Sequence, residues 1–161
     1  MNITFRKIEE KDNKELAEII RSVFREFKID RPGTVYFDPT TDNLYSLFNI
    51  QGCEYWIAVE DGKIVGGCGV YPTPGLPEGY AEMVKLYLLA DKRGKGIGWQ
   101  LMEKAIESAK RMGYTKLYLE SLPELSKALS LYERAGFKYI PAALGNSGHF
   151  GCNIWMLKEL M

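Results

Sequence analysis

The chain has 161 residues, 46 % apolar and 26 % charged, with 21 Lys plus Arg balanced by 21 Asp plus Glu. That length can bury a continuous core, and that composition excludes a disordered or fibrous chain. A formal net charge of zero argues against a general nucleic-acid binder, which needs surplus cations to displace phosphate counterions, and no apolar run approaches membrane-spanning length.

In chain order, NITFRKI (residues 2–8) alternates apolar and polar side chains as a strand does. This opening stretch lacks the apolar core of a secretory leader. From Asp12 onward Leu16, Ile19, Ile20, Val23, Phe24 and Phe27 recur at helical spacing, with Asp12 or Asn13 as the N-cap. The turn-rich DRPGTVYFDPTTD is expected to be an exposed loop, and a short helix near residues 42–49 carries Leu44, Leu47 and Phe48. EYWIAVEDGKIVGGCGVY places two β-rich runs around Asp61-Gly62, the pair that suits a tight primed turn.

After the proline-broken PTPGLPEG, YAEMVKLYLL (80–89) is a fourth strand. Ile97, Leu101, Ala105, Ala109 and Met112 then mark one face of a long helix that ends at Gly113. TKLYLES is a strand, and PELSKALSLYERAG a helix opened by Pro123 and stopped by Gly136. FKYI, the loop ALGNSGHFG and the strand CNIWMLKEL follow. The order β-α-α-β-β-β-α-β-α-β-β, without repeat or composition break, predicts one domain over residues 1–161. Its class is α/β (α+β), a mixed sheet with helices on both faces. Cys53, Cys68 and Cys152 are scattered, odd in number and without a CxxC, as expected of reduced thiols in a cytoplasmic protein.

The chemistry concentrates at RGKGIG, Arg93 to Gly98, between the fourth strand and the long helix. A helix start leaves about four backbone N–H groups unpaired with a partial positive charge, and a tight loop before it can turn them onto a phosphate. Gly94, Gly96 and Gly98 would let the backbone approach closely, and Arg93 and Lys95 would add mobile cations. A nucleotide P-loop does not fit, because Lys95 comes too early and no Ser or Thr follows. Nor does GxGxxG, since Trp99 stands where a third glycine is required.

Arg93-x-x-Gly96-x-Gly98 between strand and long helix resembles the acyl-CoA signature of the GNAT superfamily of N-acetyltransferases. LYERAGF (131–137) is similar to that family's last helix and following strand, and the element order matches over nearly the whole chain. The resemblance implies a sheet of about seven strands splayed between the fourth and fifth, with acetyl-CoA as cosubstrate in the gap. The backbone of Arg93, Gly94, Lys95, Gly96, Ile97 and Gly98 would hold the diphosphate. That of Leu86, Tyr87 and Leu88 would pair with the pantetheine arm as an added strand does.

Acetyl transfer to an amine requires removal of the ammonium proton (pKa near ~10), an oxyanion donor and an acid for the departing thiolate. Glu82 matches the family's catalytic glutamate. Period-two alternation sets it with Val84, Leu86 and Leu88, an apolar row that disfavours its ionisation. Tyr132 matches the tyrosine that protonates the CoA sulfur, and a backbone N–H near Leu88 matches the oxyanion donor. The chain departs from the pattern at Leu125, where many members carry an Asn that contacts the cofactor; Ser126 is its nearest substitute.

His149, the single histidine, lies in the loop before the last strand, which lines the acceptor site in such folds. With Cys152 it forms HxxC, two ligands where structural zinc takes four, so no metal is expected. The expected activity is acetyl transfer to a primary amine of a small molecule or peptide. A non-catalytic acyl-CoA-binding or sensing module is the alternative, and exposed sheet edges leave a homodimer open. Loops 31–41, 72–79 and 142–151 would set the acceptor.

Overall fold

In the computed structural model, which describes residues 2–161, the alternating N-terminal segment is strand β1 (Ile3–Lys7). Helix α1 (Asn13–Glu26) buries Leu16, Ile19, Ile20, Val23 and Phe24, five of the six residues its periodicity marks; the sixth, Phe27, stands at the C-cap and is half-buried. Asp12 stands at its N-cap position but turns back, accepting from Glu9 N (2.7 Å) and from both terminal nitrogens of Arg6 (2.9 and 3.0 Å).

The segment expected as an exposed loop instead winds through two 3-10 turns, Val35–Phe37 and Pro39–Asn43, and buries Thr34, Val35 and Thr41. Two threonine hydroxyls make this burial affordable by donating to Arg31 O (2.7 Å) and Val35 O (2.8 Å). Helix α2 (Leu44–Phe48) follows, then strands β2 (Glu54–Glu60) and β3 (Lys63–Tyr71) around Asp61-Gly62, both at positive φ as a primed turn requires.

Strand β4 (Tyr80–Leu88), helix α3 (Ile97–Arg111), strand β5 (Lys116–Ser121), helix α4 (Ser126–Arg134) and strands β6 (Lys138–Ile140) and β7 (Ile154–Glu159) complete the chain. Helix α4 starts at Ser126 rather than at Pro123, with Leu125 at its N-cap. The seven strands form one mixed, open sheet in the order β1-β2-β3-β4-β5-β7-β6. Helices α1 and α2 cover one face, where Leu16, Ile20, Phe24, Leu44 and Phe48 meet Tyr55, Ile57 and Ile64. Helices α3 and α4 cover the other, where Leu101, Met102, Ala105, Leu129 and Tyr132 meet Val65, Cys68 and Met83.

Two irregularities in the sheet shape the site. The first is the seam between β4 and β5, the one parallel neighbour pair, which is joined only at Tyr80–Lys116, Ala81–Leu117 and Glu82–Tyr118. Beyond Glu82 the two strands part, as the splayed sheet anticipated from the resemblance requires.

The second is a bulge in β4. Val84 faces Gly69 on β3, but Tyr87 faces Gly67, so β4 carries one residue more than its partner. Lys85 takes φ 56° to accommodate it. The glycines of β3 make room for the locking side chain, because a Cβ on Gly67 would come within 2.5 Å of the Tyr55 ring. From that berth the Tyr55 hydroxyl donates to Lys85 O (2.7 Å). The bulge corrects the expected alternation of β4. Val84 and Tyr87 pack toward α1, whereas Met83, Leu86 and Leu88 pack toward α3, so Leu86 and Leu88 do not continue a row begun by Glu82 and Val84.

Cys53 and Cys68 are buried and Cys152 half-buried, and all three are free thiols. No helix among the described residues is long and apolar enough to cross a membrane.

Candidate active site

The gap between β4 and β5 opens into a cleft of about 590 Å³ that runs from Glu82 to the start of α3. Glu82, Leu86, Tyr87, Leu88, Arg93, Gly94, Gly96, Gly98, Tyr132 and His149, all singled out from sequence, line it. Lys95 and Ile97 do not; the Ile97 side chain is sunk in the core under α3, and Lys95 is exposed.

At the α3 end, Gly94 (φ 77°) and Gly96 (φ 83°) hold left-handed conformations that side chains rarely adopt. A Cβ on either would meet nothing within 4 Å, so the loop faces open space rather than protein. No side chain caps α3, and its first amides are left for a ligand. This arrangement fits a diphosphate. Along β4, the edge beyond Glu82 has lost its β5 partner and fits an extended pantetheine.

Arg93 is not the mobile cation expected from the motif. Its guanidinium pairs with both Glu26 oxygens (2.7 and 2.9 Å), packs over Phe27 and donates to Leu88 O (3.1 and 3.0 Å). It therefore fastens the end of β4 to the end of α1. With the Leu88 carbonyl occupied, the N–H is the backbone group Leu88 has left to offer.

Glu82 is 3 % exposed, and its Oε1 accepts from the Thr73 hydroxyl (2.7 Å). Burial, then the charge of Glu120, raise its pKa to about 8 against the smaller opposing influence of Thr73 and Lys85. The Tyr132 ring is buried edge-on against Phe137, and burial pushes its phenol well above the usual value. Every fully buried side-chain oxygen among the described residues has a hydrogen-bond partner. The Tyr132 hydroxyl has none among those residues and so keeps some exposure, on a residue that lines the cleft.

At the other end, the loop between β6 and β7 folds over the mouth. His149 Nε2 lies 2.8 Å from Asp38 Oδ2, joining that loop to the α1–α2 segment. The His149 hydrogen bond, helped by Thr40, holds the Asp38 carboxyl well below the usual range. Glu120, two residues past the last β4–β5 pair, accepts from the Tyr118 hydroxyl (2.7 Å) and from the Ser147 hydroxyl (2.5 Å). Cys152 lines the same region, its thiol pushed up to about 12, chiefly by burial. Among the described residues no group of three or more His, Cys, Asp and Glu could hold a metal ion.

Sequence reasoning missed Asp38, Thr73, Lys85 and Glu120. A charged residue inside the apolar run of β4 was a usable signal for Lys85. Asp38 gave none, since it meets a histidine 111 positions away.

The chain matches a family model described as "Acetyltransferase (GNAT) family" over residues 14–137. The Escherichia coli (strain K12) protein "Uncharacterized N-acetyltransferase YjgM" is 38 % identical over 156 residues, covering 96 % of this chain and 93 % of the relative. The crystal structure of a GNAT-family acetyltransferase from Staphylococcus aureus Mu50 superposes with a TM-score of 0.84 at 23 % identity, covering 99 % of this chain and 100 % of that one. YncA from Salmonella typhimurium, solved with its cofactor acetyl-CoA, gives a TM-score of 0.76 at 20 % identity over 100 % of this chain and 95 % of that one.

Proposed function

The chain belongs to the acetyltransferase (GNAT) family and is an acetyl-CoA-dependent N-acetyltransferase; from that premise we propose that it acetylates a primary amine of a small molecule or peptide by direct attack. The observation that carries this reading is the continuous gap from Glu82, where β4 and β5 part, to the uncapped start of α3. Acetyl-CoA supplies the activated acetyl group, with its diphosphate on the amides of residues 94–98, since the Arg93 N–H already donates to Ala90 O (3.4 Å), and its pantetheine along Leu86, Tyr87 and Leu88.

Glu82 takes the proton that the acceptor ammonium must lose. Its pKa of about 8 lies closer to that of an ammonium than an ordinary carboxyl does, and so makes it a stronger base. The Leu88 N–H, whose carbonyl partner is already engaged by Arg93, donates to the thioester oxygen as charge gathers there. Tyr132 keeps its proton at working pH and gives it to the departing sulfur. His149, paired with Asp38, holds the acceptor side of the cleft in place rather than meeting the thioester.

Thiol release from acetyl-CoA across a panel of amines and peptides tests the proposal. Expected is release that depends on the acceptor and yields its N-acetyl product. Binding of acetyl-CoA without release for any amine would contradict it.

A further inference from the structure

Lys85 is a buried cation that the acetyl-transfer steps do not use. It is 7 % exposed, lines the cleft and sits on the β4 bulge with a left-handed backbone. Two carboxylates influence it, Asp38 and Glu82, but neither bonds it. Asp38 has committed Oδ1 to Thr40 and Oδ2 to His149, and Glu82 has committed Oε1 to Thr73. Among the described residues the Lys85 ammonium makes no hydrogen bond or ion pair. Since no fully buried side-chain nitrogen lacks a partner, Nζ keeps some exposure, on a residue that lines the cleft.

A desolvated ammonium without a bonded anion is costly, and burial accordingly pulls the Lys85 pKa down. Retaining such a group in a cleft makes physical sense if a ligand brings the missing anion. Across the same cavity Glu82 and Glu120 offer two carboxylates to a cation, and Glu120 acts on Glu82 strongly enough to raise its pKa. A ligand with one amine and one acid is complementary to both.

We infer that Lys85 is the specificity-determining residue of the acceptor site, receiving the carboxylate of a zwitterionic, amino-acid-like acceptor whose amine faces Glu82 and Glu120. This rests on the acetyltransferase reading for the identity of the amine end only. The Lys85–carboxylate contact is a binding claim and stands apart from turnover. A carboxylate at Nζ makes a charge-assisted hydrogen bond to a lysine that is 7 % exposed. An amide or a bare amine cannot supply that charge.

The test uses the full chain loaded with CoA and a panel of free amino acids, each matched with its C-terminal amide and its decarboxylated amine. Binding is followed by titration calorimetry, and turnover by thiol release from acetyl-CoA. In the parent, at least one amino acid should bind about 10-fold to 100-fold more tightly than its amide. Lys85→Met, which keeps the stem and the backbone conformation, should collapse that ratio toward one. Lys85→Arg should retain most of it. CoA titration of each variant reports whether the site still folds.

Amides or bare amines that bind and react as well as the amino acids would overturn the inference while leaving acetyl transfer intact. So would an unchanged ratio in Lys85→Met, or acetylation of Lys85 itself detected by mass. Lys85-dependent binding of amino acids without thiol release would instead uphold the carboxylate subsite and overturn the transfer reaction.

Discussion

Burial disfavours the Glu82 charge before any neighbour acts, and Glu120 adds to the effect. As a base, Glu82 works in its ionised form, so kcat/KM should rise with pH through an apparent pKa near 8, and Glu82→Gln should flatten that limb and lower the rate about 10²-fold or more. The same shift has the opposite sign for stability. The folded pKa of about 8 lies above the ordinary value of 4.5, so protonated Glu82 is favoured in the fold, and its contribution is lost as pH rises from the lower value through the upper. Thermal melts should therefore show Glu82→Gln gaining on the parent as pH climbs from about 4.5 to about 8 and the gap levelling off above it; a gap constant across that window would contradict the raised pKa. Tyr132→Phe should lower kcat about 10²-fold with little change in CoA affinity, and equal turnover would reduce the ring to packing. A raised pKa for Glu82 was legible only in part, because the apolar row it was read from breaks at the bulge after Val84. The influence of Glu120 and the isolation of Lys85 were not legible at all, because both arise where β4 and β5 part, a tertiary event without local signature.

Elements were easier to read than the joints between them. Periodicity and turn chemistry placed all seven strands and four helices in order, since amphipathic spacing is local. Three details escaped. Helix α4 begins after a turn at Pro123, loop 30–42 packs inward through its threonines, and β4 bulges at Lys85. Strict alternation cannot register an inserted residue, although the glycines of β3 opposite β4 were a hint that something large lay over two of them, Gly67 and Gly69. That something is Tyr55, which buttresses the bulge. Tyr55→Phe removes the donor to Lys85 O and should cost about 1–3 kcal/mol in denaturant unfolding. It should also raise KM for acetyl-CoA, since Leu86 to Leu88 follow the bulge directly; unchanged stability and KM would deny the hydroxyl that role. At the start of α3, Gly96→Asp sets bulk and negative charge where the diphosphate belongs. It should abolish the rise in melting temperature given by acetyl-CoA, and an undiminished rise would move the cofactor elsewhere.

The whole sheet hangs on three residue pairs at its centre, with β1 to β4 on one side and β5 to β7 on the other. We propose that residues 1–161 nonetheless unfold as one domain, because α3 packs across β2, β3 and β4 while Leu117, Leu119 and Met156 share its core. Calorimetry should give one transition; two would locate the break at the β4–β5 seam. A ligand lying in that seam touches both halves, and at 100 times its Kd it should stabilise the chain by about 2.7 kcal/mol. The most direct measurement is a crystal structure of this chain with CoA. Expected is a diphosphate on the amides of residues 94–98, pantetheine along Leu86 to Leu88, and the sulfur within hydrogen-bond reach of Tyr132. A ligand bound away from the β4–β5 gap would contradict it.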